Sequence, residues 1–224
     1  MTERKRRMKT DELFDLKGAL TERLLLSEKY PWQALESLCE YIRRIGRSLD
    51  KRSFTEVKKD VWIADSAAIS ESAELIAPLI IDVGAEVGNF SVVSSSVIGR
   101  DCVIGSFSEI RRSIFLDFSR APAHNYVSYS IVGKRARFGA GAIVSSIRAD
   151  RGEVICETES ERLNTGRARF GALIGDGAEI GPSAVLSAGC VLERNASVNP
   201  LTRARGFISA DKTYRGERIT YDLL

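Results

Sequence analysis

Residues 80–110 read IIDVGAEVGNFSVVSSSVIGRDCVIGSFSEI, and an aliphatic residue recurs in them at Ile81, Val87, Val93, Ile98, Ile104 and Ile110. The spacing is six, with a slip of one residue between Val93 and Ile98. Four places after most of these anchors stands a small residue: Ala85, Ser91, Cys102 and Ser108. Glycine follows directly at Gly88, Gly99 and Gly105. A period of six fits neither the helical 3.6 nor a sustained alternation of two. It fits a solenoid whose coil has three short flat faces joined by tight turns. The aliphatic residue fills the interior, the small residue sits where the interior narrows, and glycine relieves the turn.

The rhythm extends in both directions. Upstream it includes Ile63, Ile69 and Leu75; downstream it returns at Val132, Phe138 and Val144, then at Ile174, Ile180, Leu186, Leu192 and Val198. Coils of this kind stack at about 4.8 Å and bury their apolar faces only against their neighbours. The expected architecture is therefore mainly β, a parallel β-helix over residues 55–208 followed by a C-terminal extension, 209–224. Two regions break the rhythm. In residues 1–54, Leu13, Leu16, Leu20 and Leu24 keep helical spacing, as do Trp32, Leu35, Leu38, Ile42 and Ile45. Pro31 stands where a helix start tolerates it. These helices are expected to cap the first coil and cover its edge, behind a basic tail at residues 4–9. Residues 145–171 are polar and charged and read as an excursion from the coil wall, the kind of loop that carries function on a rigid scaffold.

Composition narrows the function. The chain has 224 residues, 33 Lys and Arg against 30 Asp and Glu, and a net charge of +3. That balance argues against nucleic acid as the main partner. The longest apolar run, near Ile80–Ile81, falls far short of the roughly 20 residues of a membrane span. No apolar stretch follows the basic start, so a secretory signal is not read there. Cys39, Cys102, Cys156 and Cys190 are scattered, without the paired spacing of a zinc or redox motif. The expectation is a cytoplasmic protein with reduced thiols and no metal; Cys102 and Cys190 fall at core positions. One histidine, His124, excludes a metal hydratase site built from several.

One stretch is more specific than the rhythm. Residues 108–148, SEIRRSIFLDFSRAPAHNYVSYSIVGKRARFGAGAIVSSIR, and 165–181, TGRARFGALIGDGAEIG, resemble the acetyltransferase domain of the bifunctional enzymes that make UDP-N-acetylglucosamine. DELFDL at 11–16 and YPWQAL at 30–35 are similar to the N-terminal segment of short stand-alone relatives. The resemblance implies a left-handed hexapeptide-repeat β-helix, a homotrimer, and acetyl-CoA and an acceptor bound between subunits. The companion nucleotidyltransferase domain has no counterpart here: no Gly-rich nucleotide loop followed by an arginine and a Pro-Lys appears.

Carried over residue by residue, the family's pattern around its catalytic base, Pro-His-x-x-Tyr-Val-Gly-Asp, matches at Pro122, Tyr126 and Val127. Its histidine position falls on Ala123, the only histidine is His124 one place later, and Gly-Asp has become Ser128-Tyr129. On an extended strand that displacement turns a side chain to the opposite face. His124 thus reads as a displaced base or as a histidine packed beside Tyr126. The resemblance implies substrate contacts by Arg111, Arg112, Tyr126 and Arg137, the last standing where the family has asparagine. It implies donor contacts by Gly139, Ala140, Gly141, Arg167, Arg169 and Ser146, which replaces another asparagine; Arg162 belongs with the two arginines as a loop face. Arg111 and Arg112 are adjacent, so one is expected to face out and the other inward or toward a subunit seam. The implied function is acyl transfer from acetyl-CoA to an amino sugar, sugar phosphate or nucleotide sugar, weakened by the loss at Ala123. The alternative is a catalytically silent trimeric scaffold that binds a nucleotide sugar or a partner protein.

Overall fold

The computed structural model describes residues 9–158 and 161–216. Most of the expected basic tail, residues 159–160 of the excursion and the last eight residues of the C-terminal extension lie outside them. Twenty-three short parallel strands form the three walls of a β-helix. The first wall has nine strands; its first strand, Phe54–Lys58, is antiparallel, which leaves eight coils. The second wall has eight strands and the third has seven. The anchors named above form one interior cluster, with Ile63 and Ile69 partly buried against it, joined by Phe115, Ala121 and Val127 of the fourth coil. Cys102 and Cys190 fill that interior, and burial pushes both thiols up to about 12.

Each coil turns three corners, and the residue at a corner often has positive φ. At the edge between second and third walls these are Phe90, Phe107, His124, Gly141, Ser183 and Leu201. A bulky residue there is strained by about 1–3 kcal/mol. A second ladder of bonds holds the edge: Phe107 N–H donates to Asn89 O at 2.9 Å, His124 N–H to Ser106 O at 3.0 Å, and Gly141 N–H to Ala123 O at 3.2 Å. The slip of one residue falls at the edge between third and first walls. There Ser96, Ser113 and Ser130 each donate back to a carbonyl two residues earlier, at 2.7–2.8 Å. Ser96 and Ser113 also accept the amide of the next serine in the column.

The helical segment precedes the β-helix as expected, but it does not sit over the open end of the first coil. Its helices, α1 (Thr10–Leu13), α2 (Glu22–Ser27) and α3 (Ala34–Gly46), lie along the outer face of the first wall. The reason is in the strands. Trp62, Ile80, Val97, Ile114, Ile131, Leu173 and Val191 stand in register on that face, one per coil, and all are buried. A wall apolar on both sides needs cover on both, and burial is worth about 1.5–3 kcal/mol for each large aliphatic. The edge of the first coil is closed instead by the antiparallel strand Phe54–Lys58.

The segment runs opposite to the direction in which coils are added. Near its start, Asp15 N–H donates to Asp176 Oδ2 at 2.5 Å and Asp176 N–H to Leu13 O at 3.0 Å. Lys134 Nζ reaches Asp15 Oδ2 and Lys17 O, and Arg194 reaches Asp11 O. At its far end Gly46 lies on Trp62, where a Cβ would come within 2.3 Å of the indole, and Arg43 pairs with Asp60 at 3.0 Å.

Two further expectations change. The excursion is not simply a solvated loop: Ile155–Glu157 and Arg162–Asn164 form an antiparallel hairpin, and Val154, Cys156 and Phe170 are buried beside the helical segment. Parallel pairing also continues past residue 208, with Thr213–Tyr214 in register with Ser197–Val198. Among the described residues no helix is long and apolar enough to cross a membrane. Ile114→Ala, on the covered wall, is expected to cost about 2–5 kcal/mol in urea unfolding. Val103→Ala, facing outward on the second wall, is expected to cost less than about 1 kcal/mol; equal losses would show that the face of Ile114 is not covered.

Candidate functional site

His124 occupies a turn, not a strand: the flanking strands are Arg120–Ala121 and Tyr126–Ser128. The alternation of strand side chains therefore does not apply to it, which corrects the expected reversal of face. Nor does it rest on Tyr126. Its exposed imidazole stacks on Phe107, centroids 5.2 Å apart and planes 6° apart, and Phe107 stacks on Phe90 at 5.3 Å. Phe90 and Phe107 are 62% and 55% exposed, so the three rings form a ladder along an open edge. Among the described residues no hydrogen bond engages the imidazole, which leaves both ring nitrogens for a proton-transfer partner. The carbonyls of Pro122 and Ala123 accept from buried Asn125, whose Oδ1 accepts the amide of Ala142 at 3.1 Å.

The next coil brings Gly139, Ala140 and Gly141 to the same edge. Gly139 has a packing reason, since a Cβ there would stand 2.3 Å from Pro182 N. The amides of Gly139 and Gly141 are spent on Ile180 O and Ala123 O, so they cannot also stabilise an oxyanion. Ala140 is exposed, and among the described residues its N–H makes no hydrogen bond.

Tyr126 and Arg111 face outward on the third wall, flanking the inward Ile110 and Val127. Tyr126 is half-buried, in register with Glu109 and Ile143. Arg111 forms an ion pair with Glu109, its neighbour on the same face, and that bond raises the guanidinium pKa further. Arg137 faces outward on the second wall between Arg120 and Glu179. The edge thus has His124 and Ala140 on its crest, Tyr126 and Arg111 down one side and Arg137 down the other. A convex edge of this kind encloses nothing unless a second surface lies against it.

The remaining expected residues gather at a different edge, between third and first walls. Arg112, with φ 43°, turns away from the coil and donates to Leu35 O at 2.9 Å and Glu36 O at 3.0 Å. Arg167 pairs with Glu36. Arg112 and Arg169 each lie 5.8 Å from the ring of Tyr129. Ser146 is buried and accepts from Ser128 Oγ at 2.9 Å. Arg162, on the hairpin, pairs with Glu157 at 3.0 Å. The Arg162 pair stays within the hairpin, while the contacts of Arg112, Arg167 and Arg169 fasten the helical segment and the excursion to the coil and to each other. Among the described residues no group of His, Cys, Asp and Glu is placed to hold a metal ion.

Residues 57–159 match the sequence profile of the GMPPB C-terminal domain family. A bifunctional sugar-1-phosphate nucleotidylyltransferase/acetyltransferase of Sulfurisphaera tokodaii is 29% identical over 97 residues, 43% of this chain and 24% of its own length. The bifunctional protein GlmU of Methanococcus maripaludis is 28% identical over 113 residues, 45% of this chain and 27% of its own. Less than half of the chain is thus similar to these bifunctional proteins. It spans about a quarter of the length of these curated relatives. Among solved structures, PerB of Caulobacter crescentus in complex with CoA and GDP-perosamine is similar at a TM-score of 0.33 and 12% identity, covering 68% of this chain and 52% of that one.

The two arginines separate by experiment. Arg112→Ala removes two bonds from a charged donor and is expected to cost about 1.5–3 kcal/mol each at most, read in urea unfolding. Arg111→Ala removes an exposed pair and is expected to cost less than about 1 kcal/mol. The reverse order would mean that Arg112 does not fasten the helical segment.

Proposed function

We propose that this chain transfers an acyl group from acetyl-CoA to an amino sugar, a sugar phosphate or a nucleotide sugar. One observation carries the reading: an imidazole with no hydrogen bond among the described residues, on the crest of an exposed edge and one coil from the open amide of Ala140, in a chain similar in part to GlmU. In this reading His124 takes the proton as the acceptor amine or hydroxyl attacks the thioester carbonyl. The C–S bond breaks, coenzyme A leaves as thiol or thiolate, and no covalent enzyme intermediate forms. Tyr126 orients the acceptor, and Arg111, paired with Glu109, re-pairs with phosphate. Ala140 N–H faces the oxyanion, a role that Gly139 and Gly141 cannot share. A convex edge needs a facing surface, which a homotrimer supplies through its neighbouring subunit. Handling in the cytoplasm, where acetyl-CoA is made, belongs to the same reading.

A second reading is favoured by Ala123 and by the stacking of His124 on Phe107. It makes the chain a silent trimeric scaffold for a nucleotide sugar or a partner protein.

The test has two steps. Titration of acetyl-CoA into the full chain is expected to show saturable micromolar binding; none at millimolar concentration would favour the scaffold. Release of coenzyme A is then followed with amino-sugar phosphates and UDP-linked amino sugars as acceptors. His124→Ala is expected to lower turnover at least about a hundredfold, the usual worth of a positioned base. An unchanged rate removes His124 from the mechanism, and activity found only in Ala123→His selects the scaffold.

A further inference from the structure

Neither burial nor backbone ease accounts for the two phenylalanines on the edge between the second and third walls. Phe90 and Phe107 are more than half exposed. They hold φ of 56° and 58°, a conformation that Gly, Asn, Asp and His adopt far more readily than Phe. The edge between the first and second walls has the residues that such corners favour: Gly84, Asp101, Gly177, Asn195 and Asp211. Its two bulky corners, Phe118 and Arg135, touch each other, with the guanidinium 5.3 Å from the ring centre. A large side chain at a corner thus goes with a partner in the next coil. On the edge of the site Phe90 meets Phe107, Phe107 meets His124, and the series stops because the next corner is Gly141.

The imidazole has a fixed root and a free rim. His124 N–H donates to Ser106 O, and Asn125 binds the carbonyls of the two residues before it. A histidine that moves protons is commonly oriented by a hydrogen bond on one ring nitrogen, from a carboxylate or a carbonyl. Among the described residues no such group reaches His124. Its plane is set instead by Phe107, parallel to within 6° at a centroid distance of 5.2 Å, inside the range of about 4.5–7 Å for aromatic pairs. Stacking engages the face of the imidazole and leaves both nitrogens at the rim.

We propose that Phe107 is a positioning residue for His124: it fixes the plane of the imidazole by stacking, in place of a hydrogen-bonded orienter, and Phe90 supports it from the preceding coil. The effect on rate rests on the reading of His124 as the base; the effect on the ring does not.

His124 is the only histidine in the chain, so isotopic labelling of histidine gives one set of ring signals in the full-length protein. Their relaxation is expected to show an ordered imidazole, with an order parameter near the value of about 0.85 for rigid backbone, falling below about 0.6 in Phe107→Leu. Phe107→Tyr, which keeps the ring, is expected to keep the order. Phe118→Leu, at the other edge, is expected to change neither order nor rate, and circular dichroism confirms that each variant is folded. In the coenzyme A release assay Phe107→Leu is expected to lower kcat about tenfold, a part of the roughly 10²–10⁴ that a positioned base supplies. KM is expected to stay the same, and Phe107→Tyr to restore kcat. An imidazole that is mobile in the unaltered chain, or stays ordered in Phe107→Leu, overturns the inference. So does a rate that falls in His124→Ala but not in Phe107→Leu, and in that case the base reading stands. A rate that neither variant changes overturns the base reading, and the positioning role falls with it.

Discussion

The structure depends on one wall being apolar on both sides. The interior face closes the coil, as in any β-helix, while the outer face carries a second ladder from Trp62 to Val191. That second ladder is why a helical segment runs the length of the molecule, and why the excursion turns back to bury Val154, Cys156 and Phe170. It also explains where the arginines went. Arg112 and Arg167 are placed to hold the cover down, on Leu35, Glu36 and the start of α3. The other two walls carry mixed polar surfaces, and it is on them and on the edge between them that the half-buried Tyr126 and the exposed His124 are found.

Much of the fold is legible in the amino-acid sequence because the interior rule is strict. One aliphatic residue per face, six apart, is too regular to arise from an ordinary sheet. The fourth coil escapes that reading because its interior residues are Phe115, Ala121 and Val127, three different sizes in one turn. The cover was legible too, in a signal that the six-residue rhythm hides: the first wall has doubled apolar residues in six successive coils, Ile80-Ile81, Val97-Ile98, Ile114-Phe115, Ile131-Val132, Leu173-Ile174 and Val191-Leu192, where the other walls have them only in some coils. A doubled aliphatic on a two-residue strand has one side chain inside and one outside.

The site was less legible, for a backbone reason. Whether residues 123 and 124 sit on a strand or a corner decides where His124 points, and the one-residue slip shifts that assignment. The central coils repeat every seventeen residues, so Phe90, Phe107, His124 and Gly141 share one column. Read at that period, His124 belongs to a stack of rings, while Tyr126 belongs to a wall. Ser146, Arg112, Arg167 and Arg169 were drawn to the same site by resemblance, yet the structure gives them hydrogen bonds, ion pairs or ring contacts at another edge.

An array of coils is ordinarily a one-dimensional object, in which each unit knows only its neighbours and the ends can open a turn at a time. The helical segment ties Asp15 to Asp176 across 161 positions and Asp11 to Arg194 across 183, while its other end rests on Trp62. The two ends of the stack are thereby held by one piece of chain, and unpeeling from either end must also release a strap anchored near the other. The same strap leaves the ribosome before the coils on which it rests. At about 5–20 residues per second, its apolar stripe waits on the order of ten seconds for the coils that will cover it.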